Sequence, residues 1–171
     1  MLKTIGMALL VSAGVGLVAS GAQALQVVVS QVDKNADGTS TYHFAIRVDR
    51  NETLLPGTDF VTVYNFAGLV GTPKTPPGWA FSSEDFGRTP TWAGYPAVMP
   101  VDVPGLSNLT WTATRPVPGG SEIGGFAATT SIPAVTEGEY TAQTTVMGSA
   151  GGKPSKQAVI GQLPTPSFLP R

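Results

Sequence analysis

LQVVVSQVDKNADGTSTYHFAIRV, residues 25–48, holds two strand-forming runs separated by turn chemistry. In the second run Tyr42, Phe44, Ile46 and Val48 alternate with Thr41, His43, Ala45 and Arg47. A period of two places the first set on one face of an extended strand, with the second set on the other. The first run is β-branched, and the DKNADG between the two supplies the Asn, Asp and Gly that tight turns use. These 24 residues therefore predict an antiparallel hairpin with one face in a core.

Working outward, DFVTVYNFAG (59–68) is a third strand with bulky residues on both faces, as expected of a strand covered on both sides or lying at an edge. The segment TPKTPPGWAF (72–81) reads as irregular, and residues 82–105 carry Pro90, Pro96, Pro100 and Pro104. Proline removes a ladder donor, so this stretch holds at most short or edge strands. Strand patterns return in SNLTWTAT, GGFAATTSI, EYTAQTTVM and QAVIGQL, with RPVPGGSEI, PAVTEG and MGSAGGKPSK as connections. Seven or eight strands at hairpin spacing, with no amphipathic helix among them, predict an all-β, immunoglobulin-like antiparallel β-sandwich over residues 25–163. Residues 164–171, PTPSFLPR, read as an extended or frayed Pro-rich tail.

Residues 1–24 carry a different signal: Lys3, an uncharged apolar run over 5–18, then Ala22-Gln23-Ala24. Basic start, short apolar stretch and A-x-A site describe a cleavable signal helix. The run is broken by Gly14 and Gly16 and falls short of the ~20 residues that span a bilayer. The mature chain is expected to begin at Leu25, secreted or periplasmic, with no stable membrane anchor after cleavage.

Composition narrows the chemistry. A formal net charge of −1 offers no phosphate-binding surface, so no nucleic-acid partner is expected. The absence of cysteine excludes thiol catalysis, thiolate metal sites and an acylated lipoprotein cysteine. With 21 glycines, 15 prolines and only 12% charged residues, the chain suits many short strands joined by turns.

The ordered cues GTSTYHFAIRV, DFVTVYNF, PPGWAF, LTWTATRPVPGGSEIGGFAATT and GEYTAQ resemble small secreted bacterial β-sandwich proteins of the PEP-CTERM-associated type. The resemblance covers most of the mature chain and implies a fold and a location, with no reaction attached. One departure is that the PTPSFLPR ending lacks the Pro-Glu-Pro, apolar span and basic end of the sorting tail. The resemblance then implies a protein released, or held by contacts.

No converging catalytic set emerges, and no catalytic residue is assigned. His43 is the single histidine, on the strand face opposite Tyr42 and Phe44, and no nucleophile-elbow motif accompanies it. Glu84 and Asp85 are adjacent, so in extended chain they point apart and cannot face each other as a glycosidase pair. Asp33, Asn35, Asp37 and Gly38 match the opening of a calcium loop, but the twelfth position is Phe44 where a bidentate Glu belongs. A hairpin turn is the favoured reading, with calcium as the alternative and no other cofactor. Trp111 shares parity with Leu109 and reads as core, as does Trp79. Trp92 and Tyr95 lie in the Pro-rich middle and are the candidate ligand contacts, with loop packing as the favoured account. Asn51-Glu52-Thr53 and Asn108-Leu109-Thr110 match glycosylation sequons, which carry no meaning for a bacterial protein. The expected function is a non-enzymatic surface or matrix interaction module whose partners are glycans or other surface proteins. A carbohydrate-binding module is one alternative. Another is a fibre subunit that donates residues 25–32 to a neighbouring sheet.

Overall fold

Tyr42, Phe44, Ile46 and Val48 are all buried, as their alternation requires. They lie on and just after β2 (Ser40–Arg47), which pairs antiparallel with β1 (Gln26–Lys34). A bulge between Val29 and Gln31 shifts the register so that Val27, Val29 and Val32 oppose Ile46, Phe44 and Tyr42. The computed structural model describes residues 24–92, 94–148 and 152–168, without the side chain of Tyr95. The expected signal helix lies outside these residues, apart from Ala24.

The remaining strands are β3 (Glu52–Thr53), β4 (Phe60–Phe66), β5 (Leu69–Lys74), β6 (Trp79–Glu84), β7 (Thr91–Trp92), β8 (Tyr95–Pro96), β9 (Ser107–Ala113), β10 (Glu122–Thr130), β11 (Val135–Val146) and β12 (Ser155–Pro166). One sheet runs β1-β2-β10-β5; the other runs β12-β11-β4-β9-β6, with β3 also on β11. The orders β1-β2-β10-β5 and β4-β11-β12 reproduce the ABED and CFG sheets of an immunoglobulin-type sandwich. β6 to β9 are inserted between the D-like β5 and the E-like β10. The described residues contain no helix, and hence none long and apolar enough to cross a membrane.

Between the sheets, Trp111 meets Phe44, Phe81 and Phe126 at centroid distances of 5.7, 5.6 and 5.5 Å. Trp79 meets Phe126 edge-on at 5.0 Å. Tilted and edge-to-face contacts are the arrangements that the ring quadrupole favours. β4 pairs with β11 and β9 and sends Val61 and Val63 into this core. Phe60, Thr62 and Tyr64 on its other face are buried as well, so the bulk on both faces reflects a central strand covered twice.

The strands differ from the sequence reading in number and in some of their bounds. The strand count exceeds seven or eight because β3, β7 and β8 are two-residue pieces and the edge strands β5 and β6 add to the total. β5 runs through Gly71 and Pro73, whose turn character masks an edge strand. β12 extends to Pro166, three residues into the segment read as a tail, opposite a β11 that starts inside PAVTEG. Ser167 N donates to Ala134 O. In an antiparallel ladder that parity leaves Pro164 and Pro166 with their missing N–H groups on the side away from β11, where proline does no harm.

Candidate functional site

Residues 85–106, the Pro-rich middle, cross the outer face of the second sheet and are fastened there by polar side chains. Asp102 accepts Gly87 N on Oδ2 at 2.8 Å and Asn108 Nδ2 on Oδ1 at 2.9 Å. Asn108, fully buried, also donates to Asp85 O at 3.1 Å and accepts Asn65 N at 2.9 Å. Asn65 in turn donates to Val101 O at 2.6 Å and accepts Val103 N at 2.7 Å. It does so from a left-handed backbone, φ 56°, which Asn tolerates better than most residues and which coincides with the bulge that interrupts the β4–β9 pairing between Val63 and Phe66. Glu139 Oε2 accepts Val101 N at 2.6 Å.

The other end of the segment is bound as closely. Arg88 O accepts Thr62 Oγ1 at 2.8 Å and Tyr64 OH at 2.9 Å, and its guanidinium lies 4.1 Å over the Phe60 ring. Burial first of all holds the Tyr64 hydroxyl above its ordinary pKa, so it acts here as a neutral donor. Gly87 is forced by contact: a Cβ there would stand 2.3 Å from Tyr64 Cε1.

Beside exposed Asp85, Arg88 and Thr91, this fastened segment presents large apolar side chains. Trp92 is 66% and Met99 83% exposed, and Phe86, Val101 and Val103 are exposed too. Val101, Val103 and Leu106 form one wall of a groove of about 460 Å³, with Phe168 and Glu137 also lining it. Trp92 sits on a small β7–β8 hairpin and its backbone pairs directly with Tyr95, whose side chain lies outside the described residues. The two expected ligand contacts are thus cross-strand neighbours in the backbone.

The calcium-loop residues spend their polar atoms on their own hairpin. Asp33 Oδ2 meets His43 Nε2 at 2.8 Å, Asp37 Oδ1 accepts Thr39 N at 3.0 Å and Thr39 Oγ1 at 2.7 Å, and Asn35 Nδ2 donates to Thr39 and Thr41 hydroxyls. The hydrogen bond from Gln31, then that from His43, hold Asp33 below its ordinary pKa, and Thr39 does the same for Asp37. Among the described residues no three His, Asp or Glu side chains are grouped to hold a metal ion. His43 is half-buried across the hairpin from Asp33, and Glu84 and Asp85 are exposed. Trp111, Leu109 and Trp79 are buried as expected. The N-terminal run that would serve strand donation is β1 of its own sheet, with Leu25 and Val27 in the core.

The sequence reading passed over Asn65, Asp102 and Glu139, and treated Asn108 only as a sequon. Asn108 is sealed beneath the insertion, with its amide nitrogen committed to Asp85 and Asp102. Its parity, opposite Leu109 and Trp111, was the available signal; nothing local shows that a distant segment covers it. No family model matches the chain, and no curated protein matches it.

Proposed function

We propose that this is a secreted, non-enzymatic sandwich domain that uses residues 85–106 as a contact surface for another surface or matrix protein. The observation that carries the reading is the pairing of two opposites in one segment. Its backbone is fastened by Asp102, Asn108, Asn65 and Glu139, while Trp92 and Met99 are held out to water. Contiguous exposed apolar residues mark interaction sites on soluble domains, and Trp and Met are enriched in such interfaces. Rigid fastening lowers the conformational entropy lost on binding. Export is supported by the basic start, apolar run and A-x-A of residues 1–24.

Glycan binding is the second reading, favoured by the exposed Trp92 and its backbone pairing with Tyr95. One experiment separates them. Purified protein is added back to the cells that export it, with and without prior glycosidase treatment, beside a Trp92→Ala/Met99→Ser variant of unchanged Tm. The protein-contact reading predicts binding that survives glycosidase and is lost in the variant. Loss on glycosidase treatment favours the glycan reading, and equal binding by the variant overturns both.

A further inference from the structure

Two carboxylates, Asp59 and Glu52, are buried close to the paired strands β3, β11 and β12, and among the described residues only one has a cation. Asp59, fully buried, is paired with Lys156 Nζ. Glu52, 4% exposed, accepts Leu25 N on Oε2 at 2.8 Å and Thr144 Oγ1 on Oε1 at 3.2 Å. None of the three ion pairs among the described residues includes Glu52. The charge acting on it is that of Asp49, of the same sign, which adds to burial in holding its carboxyl above the ordinary range. Buried charges are as a rule paired, so an acid kept here without a cation calls for one.

The group facing Glu52 is the nitrogen of the residue that follows Ala22-Gln23-Ala24. We infer that hydrolysis of the Ala24–Leu25 bond converts this nitrogen into an α-ammonium that is the counter-ion of Glu52. Water adds across the peptide bond, Ala24 leaves as a carboxylate, and Leu25 keeps the nitrogen, protonated at neutral pH. This deepens the export reading above and rests on it for the cleavage in the cell.

The geometry is specific to this bond. The Leu25 side chain is 1% exposed in the core, and its carbonyl accepts Tyr140 OH at 3.4 Å, so the nitrogen is held in place by the rest of its own residue. Glu52 is positioned independently by the pairing of β3 with Val146 of β11. A start one residue earlier or later moves the terminal nitrogen by about 3.3–3.6 Å along an extended chain, out of hydrogen-bond reach. An uncleaved amide offers Glu52 one neutral N–H; the ammonium offers three donors and a charge. The fold is thus most stable only after processing, which ties folding to export.

The test is a two-by-two comparison of chains made in vitro: authentic Leu25 start against a Gly-Ser extension, each with Glu52 or Glu52→Gln, unfolded in urea. The authentic start is expected to lose at least about tenfold in its folding equilibrium constant on Glu52→Gln, and the extended chain less than about threefold. Equal losses in the two backgrounds overturn the ion pair. A second readout holds if Glu52→Gln fails to fold: the α-amino group of the folded wild-type chain should resist an amine-reactive ester and react once unfolded. Labelling as fast as in the free peptide LQVVV overturns the pair as well. The mass of the exported chain tests the cell's part separately: a start at Leu25 supports processing at this bond, and any other start overturns it while the in vitro comparison still judges the pair.

Discussion

Asn108→Ala removes the side chain on which the insertion's attachment centres and leaves the core-facing Leu109 and Trp111 in place. Three hydrogen bonds go with it: to Asp85 O, to Asp102 Oδ1 and from Asn65 N. At about 1 kcal/mol net for each bond, and with Asn108 too buried for water to replace them freely, the loss is about 3 kcal/mol. For a chain of this length that is a fall in Tm of roughly 6–12 °C. Urea unfolding followed by tryptophan fluorescence measures the first quantity and a thermal melt the second. Limited proteolysis supplies a local readout, because residues 85–106 released from the sheet become an accessible loop. A loss below about 0.5 kcal/mol, the range of ordinary surface substitutions, together with an uncut insertion, would refute the view that these bonds fasten the segment.

Gly87→Ala places a methyl group against the Tyr64 ring and should lower stability by about 1–3 kcal/mol in urea unfolding and make the insertion protease-sensitive. Phe126→Ala opens the aromatic cluster shared with Trp79 and Trp111 and should cost about 3–5 kcal/mol by urea denaturation, with the β signature of the far-UV spectrum retained. Asp33 and Asp37 are held below 3.8 in the folded chain, so they add stability above that value. Between each folded value and 3.8 the unfolded chain binds more protons, so this stability drains away as pH falls through that window. Urea midpoints measured across it should show a drop that is smaller in Asp33→Asn/Asp37→Asn.

Much of the fold was legible because burial leaves a period. The alternation of residues 41–48 gave β2 and its buried face correctly, and the Leu109 and Trp111 parity gave the inward face of β9. Where burial is two-sided the period vanishes, and for β4 the sequence left open whether it is central or at an edge. The edge strand β5 and the end of β12 hid for a different reason: Gly71 and Pro73, and Pro164 and Pro166, break a rule that binds only a strand paired on both sides. For Trp92 the sequence favoured loop packing over a ligand contact, and its exposure goes against packing, because prolines that keep a segment out of a long ladder do not say which side chains it covers. The fastening residues were not legible, since Asn65 and Glu139 reach Val101 across 36 and 38 positions, and the one near pair, Asp102 and Asn108, carries no local pattern. Glu52 entered the sequence reading only within a sequon, and it is buried where it accepts Leu25 N from 27 positions away.

The central claim is that this domain binds through residues 85–106, and site-specific photo-crosslinking addresses it most directly. A photoreactive residue is placed at Trp92 or Met99 in the insertion, and at Val70 on the edge strand β5 as the control, and each protein is irradiated on the cells that export it. The account predicts one common adduct from positions 92 and 99 and none from 70. An adduct from 70 with none from 92 or 99 would contradict it.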